Sequence, residues 1–246
     1  MYWLVPSLSN LTIGNDYAIY PIDAQMELSH SLEYGSFPLY GPGFAGGQSA
    51  AAMTLGQIFH PLMHIARNIP GYWGGDALSI GTLLRLLSLG VCQLLIMLLF
   101  RRLGLPVLAS FLLSFLTVYN LRMLDAFRYG ASLENHTAFL MLCSLTVFYF
   151  LSTRKLLVGL AMIGSSYLLV TGGHPQITYL GLIGAGIVAL LAPYFVSIMT
   201  QHELPSRSRL LKSWAEMMGL VALGGVLSAP YLLGFFIEFL QSNNLR

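Results

Sequence analysis

Charge is the first thing this sequence has little of. Asp, Glu, Lys and Arg make up 9% of its 246 residues, where a soluble domain carries about 25%. Such a chain cannot cover a water-facing surface with polar groups, which excludes an ordinary soluble globule. Cysteine is scarce too. Cys92 and Cys143 both lie inside apolar stretches, with no metal-ligand spacing and no disulfide framework, and read as small hydrophobes. The net charge is only +2 and no basic stripe with interleaved aromatics occurs, so nucleic acid has no support as a partner. A glycine-rich phosphate loop, a CxxC pair, HExxH and a nucleophile elbow are all missing, and with them any case for an ATPase, zinc protease or serine hydrolase in this stretch. The start, Met1-Tyr2-Trp3-Leu4-Val5-Pro6, lacks the basic region and long apolar core of a signal peptide.

What the chain has is apolar: 56% of residues are hydrophobic and the mean hydropathy is +0.70. These residues fall into six blocks, 77–100, 105–121, 135–151, 155–172, 176–199 and 215–240, each near the ~20 residues that span a bilayer core. The expected fold is therefore all-α: a polytopic integral membrane protein of about six transmembrane helices, with the lipid bilayer as its solvent. The second and third blocks are short for a ~30 Å core at 1.5 Å per residue. Dropping both leaves the sidedness of the rest unchanged.

Charge decides that sidedness. Arg101 and Arg102, then Arg154 and Lys155, then Arg207, Arg209 and Lys212 fall on alternate connections, which by the positive-inside rule makes their side cytoplasmic. The other side receives residues 1–76, the 122–134 connection, the turn at 171–176 and the C-terminal end, with eight of the ten acidic residues. Two regions result: an outer loop over 1–76 and a helical bundle over 77–246. An acidic loop on the outer face needs a preceding helix to carry it across, and the last residues stop just past an apolar block, so the chain is expected to be truncated at both ends. The isolated piece is expected to be unstable or inactive.

Within the loop, Asp23 to Tyr34 places Ala24, Leu28 and Leu32 on one helical stripe before Gly35, and Ser49 to Ala66 reads as a second amphipathic helix broken at His60-Pro61. Short helices lying along the membrane surface are expected. Asp23 opens the first of them. A carboxylate there would serve as a general base or help hold a divalent cation, the one cofactor open to consideration; it also stands where an N-cap belongs. Asp16 is the second candidate, with a solvated turn as its plain reading. His60 and His64 are a helical turn apart, but no glutamate follows His60 and Pro61 distorts the turn, so interfacial packing is expected rather than a metal site.

Arg122, Asp125 and Arg128 recur every third residue. They form either a phosphate grip or a mutual salt bridge at the headgroup boundary. Glu134 and His136 follow on the same side, and Asn135-His136-Thr137 matches a glycosylation sequon. Arg85, inside the first block, is expected to snorkel outward rather than face a polar interior. His174 and Gln176, after Gly172-Gly173, are placed to touch a ligand head group. Pro230 is expected to kink the last helix.

Taken in order, DAQMELSHSLEYGSFPLYGPGFAGG, GQIFHPLMHI, TGGHPQITYL and SAPYLLGFFIEFLQS resemble stretches of the bacterial YfhO-like membrane proteins, a branch of the GT-C glycosyltransferase superfamily. The resemblance covers an N-terminal portion of that family's length. It departs at Tyr40-Gly41-Pro42, where the family's customary tryptophan is not found. What the resemblance implies is a glycosyltransferase in the bacterial cytoplasmic membrane, using a polyprenyl-phosphate-linked sugar donor and an extracytoplasmic glycan, lipid or protein acceptor. Asp23, with Asp16 in reserve, would deprotonate the acceptor hydroxyl in an inverting displacement of polyprenyl phosphate. Outer-side arginines such as Arg128 would stabilise the leaving group. Against this stands a transporter or flippase for a lipid-linked or small polar solute, which broken helices and midplane ionisable groups would favour.

Overall fold

The computed structural model describes residues 60–62, 65, 77–126, 130–201, 203–230 and 232–233, and every regular element among them is helical. In chain order these are α1 (Ala77–Arg102), α2 (Val107–Val118), α3 (Leu121–Ala126), α4 (Gly130–Leu151), α5 (Lys155–Thr171), α6 (Pro175–Thr200) and α7 (Arg207–Leu227). Three helical segments, Leu83–Arg102, Pro175–Thr200 and Arg207–Leu227, are long and apolar enough to cross a membrane. The 17-residue α5 is shorter, reaching about 26 Å at 1.5 Å per residue. The loop helices expected before residue 77, and with them Asp16 and Asp23, lie outside the described residues.

The second apolar block is divided. The 12-residue α2 reaches only about 18 Å, and the chain bends at Tyr119-Asn120 before α3 carries it on. Asn120 Oδ1 accepts the Met123 N–H at 3.0 Å, capping the first turn of the new helix. At the last block, α7 begins at Arg207 rather than near 215, because Arg207, Arg209 and Lys212 are helical residues of its opening turns. It stops at Ser228, two residues before Pro230. A proline ring crowds the carbonyl four residues earlier and offers no donor, so the break falls where the sequence expects a kink.

Packing follows a pattern inverted from that of soluble proteins. Helix α6 buries Gly181, Ala185, Ala189, Ala192 and Pro193 while exposing Tyr179, Leu180, Ile183, Ile187, Leu190 and Ile198. Small residues at helical spacing let backbones approach closely, while large apolar ones are left for lipid. Most buried hydroxyls satisfy themselves locally: Ser110, Thr137, Ser144 and Thr171 each donate to the carbonyl four residues back. Ser166 Oγ instead reaches Val221 O at 2.9 Å, and Trp214 Nε1 reaches Ala189 O at 3.0 Å, so α7 is tied to both α5 and α6.

Helix α4 is the centre of the bundle. Helices α1, α3, α5 and α6 pack on it, α2 lies on α1 and α7 on α5. Helices α1, α4 and α6 end together around a buried cluster of Leu99, Leu103, Val147 and Ala192. The seven basic residues of the alternate connections collect at that same end, since Lys155 Nζ sits 4.7 Å over the Tyr149 ring and Tyr149 donates to Glu216 of α7. The opposite end is where α4 and α6 begin and α5 stops.

Candidate functional site

The first turns of α4 carry Ser132, Glu134, Asn135 and His136, a polar run that straddles the 122–134 connection and the start of the third apolar block. The structure makes it helix and turns most of it inward, with Glu134 3% and Asn135 0% exposed. Buried polar groups need partners, and these find theirs on other helices.

Arg85 is one such partner. It does not snorkel: it is 6% exposed, and its Nε donates to Glu134 Oε1 at 2.9 Å. The other carboxylate oxygen lies 3.4 Å from His60 Nδ1, with His60 also buried. The expected outward reach fails because an apolar interior holding a carboxylate offers Arg85 an ion pair without leaving the bundle. The interfacial packing expected of His60 likewise gives way to a polar contact. His64 lies outside the described residues, and among the described residues no three His, Cys, Asp or Glu side chains gather as metal ligands.

Asn135 holds three helices. Its Nδ2 donates to Leu169 O of α5 at 2.6 Å and to Thr178 Oγ1 of α6 at 3.0 Å, and its Oδ1 accepts the His174 backbone N–H at 2.9 Å. Gly172 makes room for this, since a Cβ there would come within 2.7 Å of Nδ2. Gly173, at φ 97°, then makes the turn into α6 in a region that side chains other than glycine's resist. The sequon at Asn135 is therefore closed to modification.

The turn delivers His174 to the N-cap of α6. Its ring is half-buried, and Nδ1 is shut off from solvent with no hydrogen-bond partner among the described residues. Burial first, then His136, hold the imidazole below its ordinary 6.5; a backbone hydrogen bond opposes them, and Arg122 adds a smaller lowering effect. His136 presents Nδ1 to Ser132 O at 2.7 Å. A carbonyl only accepts, so in this contact that nitrogen carries the proton. Two further basic side chains, His136 and Arg122, thus act electrostatically on His174 at the start of a 26-residue helix, whose first N–H groups lack intrahelical partners and whose dipole is positive there. The arrangement suits an anion.

Of the residues picked from sequence, Arg122 acts electrostatically on His174 from an exposed position on α3. Gln176 is in the first turn of α6 but exposed. Arg128 lies outside the described residues, as does the side chain of Asp125. The sequence reading missed the role of Asn135, although a polar residue at the head of an apolar helix is itself a signal of a packed polar interior. Comparison with family models, with curated proteins and with solved structures gives no match.

Proposed function

We propose that the chain is part of a membrane glycosyltransferase of GT-C type, transferring a sugar from a polyprenyl-phosphate donor to an extracytoplasmic acceptor. The observation that carries this reading is the basic environment of the α6 N-terminus, where His136 and Arg122 both act electrostatically on the N-cap residue His174. That cluster lies at the end of the bundle away from the seven basic residues, which the positive-inside rule would make the outer face. A phosphate group is the anion such a cluster suits, and Arg122 is the residue able to grip it in two places. In this reading α2 with α3 forms one crossing and α4 and α5 two more, giving six. Asp23, or Asp16, takes the acceptor proton. The anomeric C–O bond to phosphate breaks as the acceptor oxygen attacks, and polyprenyl phosphate leaves towards Arg122 and Arg128. A divalent cation would be held, if at all, by the loop carboxylates.

One observation favours a second class. The buried Arg85–Glu134–His60 group is the kind of intramembrane ion pair found on solute or proton pathways. Sugar transfer from a radiolabelled polyprenyl-phosphate sugar, in membranes carrying the full-length gene, separates the two. Asp23→Asn is expected to abolish transfer. Arg122→Gln is expected to lower it about ten-fold, the worth of one charged hydrogen bond, chiefly through the donor KM. Transfer unaffected by either substitution sinks the assignment, and a wild type inert with every donor tested moves the reading to a transporter.

A further inference from the structure

At the opposite end of the bundle, the C-terminal ends of α1, α4 and α6 and the chain after α6 line an open cavity of about 410 Å³. This is a ligand-sized volume. Phe150 and Val196 form an apolar wall, the hydroxyl-bearing Ser197 and Thr200 line it, and Arg102 and Glu203 stand at its edge. The two charges are not spent on each other. The ion pairs among the described residues are those of Glu134 with Arg85 and His60, and neither Arg102 nor Glu203 makes a hydrogen bond there. The neighbouring Arg101 is used differently, donating Nη1 to Leu105 O at 2.7 Å to close the α1–α2 turn.

One cation and one anion that line a common cavity without an ion pair among the described residues complement a ligand that carries both charges. The apolar wall continues along α6 to the exposed Phe195 and Ile198, on a helix long and apolar enough to cross a membrane. We propose that this cavity seats the headgroup of a zwitterionic phospholipid, its phosphate on Arg102 and its ammonium on Glu203, with acyl chains running along α6. A phosphatidylglycerol offers the same phosphate to Arg102 but a neutral glycerol in place of the ammonium, and so leaves Glu203 without a counter-charge. The cavity therefore selects for ethanolamine-type headgroups over glycerol-type ones. The site is independent of the sugar-transfer reading, because it lies at the other end of the molecule.

The test uses the full chain purified in mild detergent and offered equal amounts of a phosphatidylethanolamine and a phosphatidylglycerol with identical acyl chains, bound lipid being read by native mass spectrometry. The ethanolamine lipid is expected to be retained in preference. Glu203→Gln is expected to level the two lipids, and Arg102→Gln to lower retention of both about ten-fold, as for loss of one charge-assisted hydrogen bond. The exchange of both residues, Arg102→Glu with Glu203→Arg, is expected to restore part of the preference, and thermal melting shows that each variant is folded. Preference for the glycerol lipid, or retention indifferent to both single substitutions, overturns the proposal. Complete displacement by soluble phosphoethanolamine at equal concentration would overturn it too, by assigning the cavity to a free phosphoamine.

Discussion

Arg85 and Glu134 meet across 2.9 Å with side chains only 7% and 1% exposed, an ion pair between α1 and α4 held inside a bundle with an apolar exterior. Removing one member leaves the other charged and buried, which costs about 3–5 kcal/mol. Glu134→Gln is expected to lower stability by that order in a denaturant titration of the detergent-solubilised chain. Replacing both, as Arg85→Met with Glu134→Leu, is expected to recover more than half of the loss, because no uncompensated charge remains. A double variant as unstable as the single one would show that the helices depend on the pair itself rather than on its neutrality.

Asn135 carries a different kind of risk, since it is neutral but fully enclosed. Thr178 Oγ1 also donates to Leu169 O at 2.8 Å, so that carbonyl keeps a partner when the amide is gone. The His174 N–H loses its acceptor at Asn135 Oδ1. Asn135→Ala is expected to cost about 1–3 kcal/mol and to loosen the turn before α6, read as faster amide exchange at Gly173 and His174. Asn135→Asp, which keeps an acceptor but buries a charge, is expected to be worse than alanine.

The all-helical character and the apolar helices were legible from residue type, because apolar length is a local property. The polar interior was not. Arg85 and Glu134 are 49 residues apart and Asn135 and Leu169 are 34 apart, and nothing in the spacing of either pair announces the other member. Arg85 read as a snorkelling side chain because an isolated arginine in an apolar block has no other outlet; its partner exists only once α1 and α4 are packed. The same cause hid the true start of α4. Ser132 and Glu134 look like loop residues by polarity, and belong to a helix that begins at Gly130, where Glu134 faces a partner on a neighbouring helix. His174 and Arg122 were legible as candidates from their position on the side opposite the basic connections, but the electrostatic effect of Arg122 on His174 was not.

Close approach of α5 and α7 yields a sharp contrast among glycines. A Cβ on Gly224 would lie 2.6 Å from Ile163 O and 2.7 Å from Ser166 Cβ, while one on Gly219 or Gly225 meets nothing within 4 Å. Gly224→Ala therefore pushes the helices apart at the Ser166–Val221 hydrogen bond, and is expected to cost about 1–3 kcal/mol as an overpacked contact. Gly219→Ala and Gly225→Ala are expected to be neutral or to stabilise by up to about 1 kcal/mol through helix propensity. Equal effects at all three positions in the same melting series would mean that α7 does not pack on α5 through Gly224.

His174 ties the candidate site to pH. Burial first, then His136 and Arg122, lower its pKa from 6.5 in the folded chain, so the folded state binds fewer protons than the unfolded one as pH falls through this range. The contribution to stability is accordingly present above about pH 6.5 and is lost as pH drops towards the depressed folded value. His174→Gln removes the titrating group and is expected to flatten the dependence of unfolding on pH below about 6.5. Inorganic phosphate, if it binds among Arg122, His136 and His174, favours the protonated imidazole and is expected to raise its pKa, shifting the unfolding profile of the wild type to lower pH and leaving that of His174→Gln in place. Histidine titration followed by NMR, with and without phosphate, checks both statements. An imidazole that titrates at its ordinary value and ignores phosphate would remove the anion site and, with it, the observation on which the glycosyltransferase reading rests.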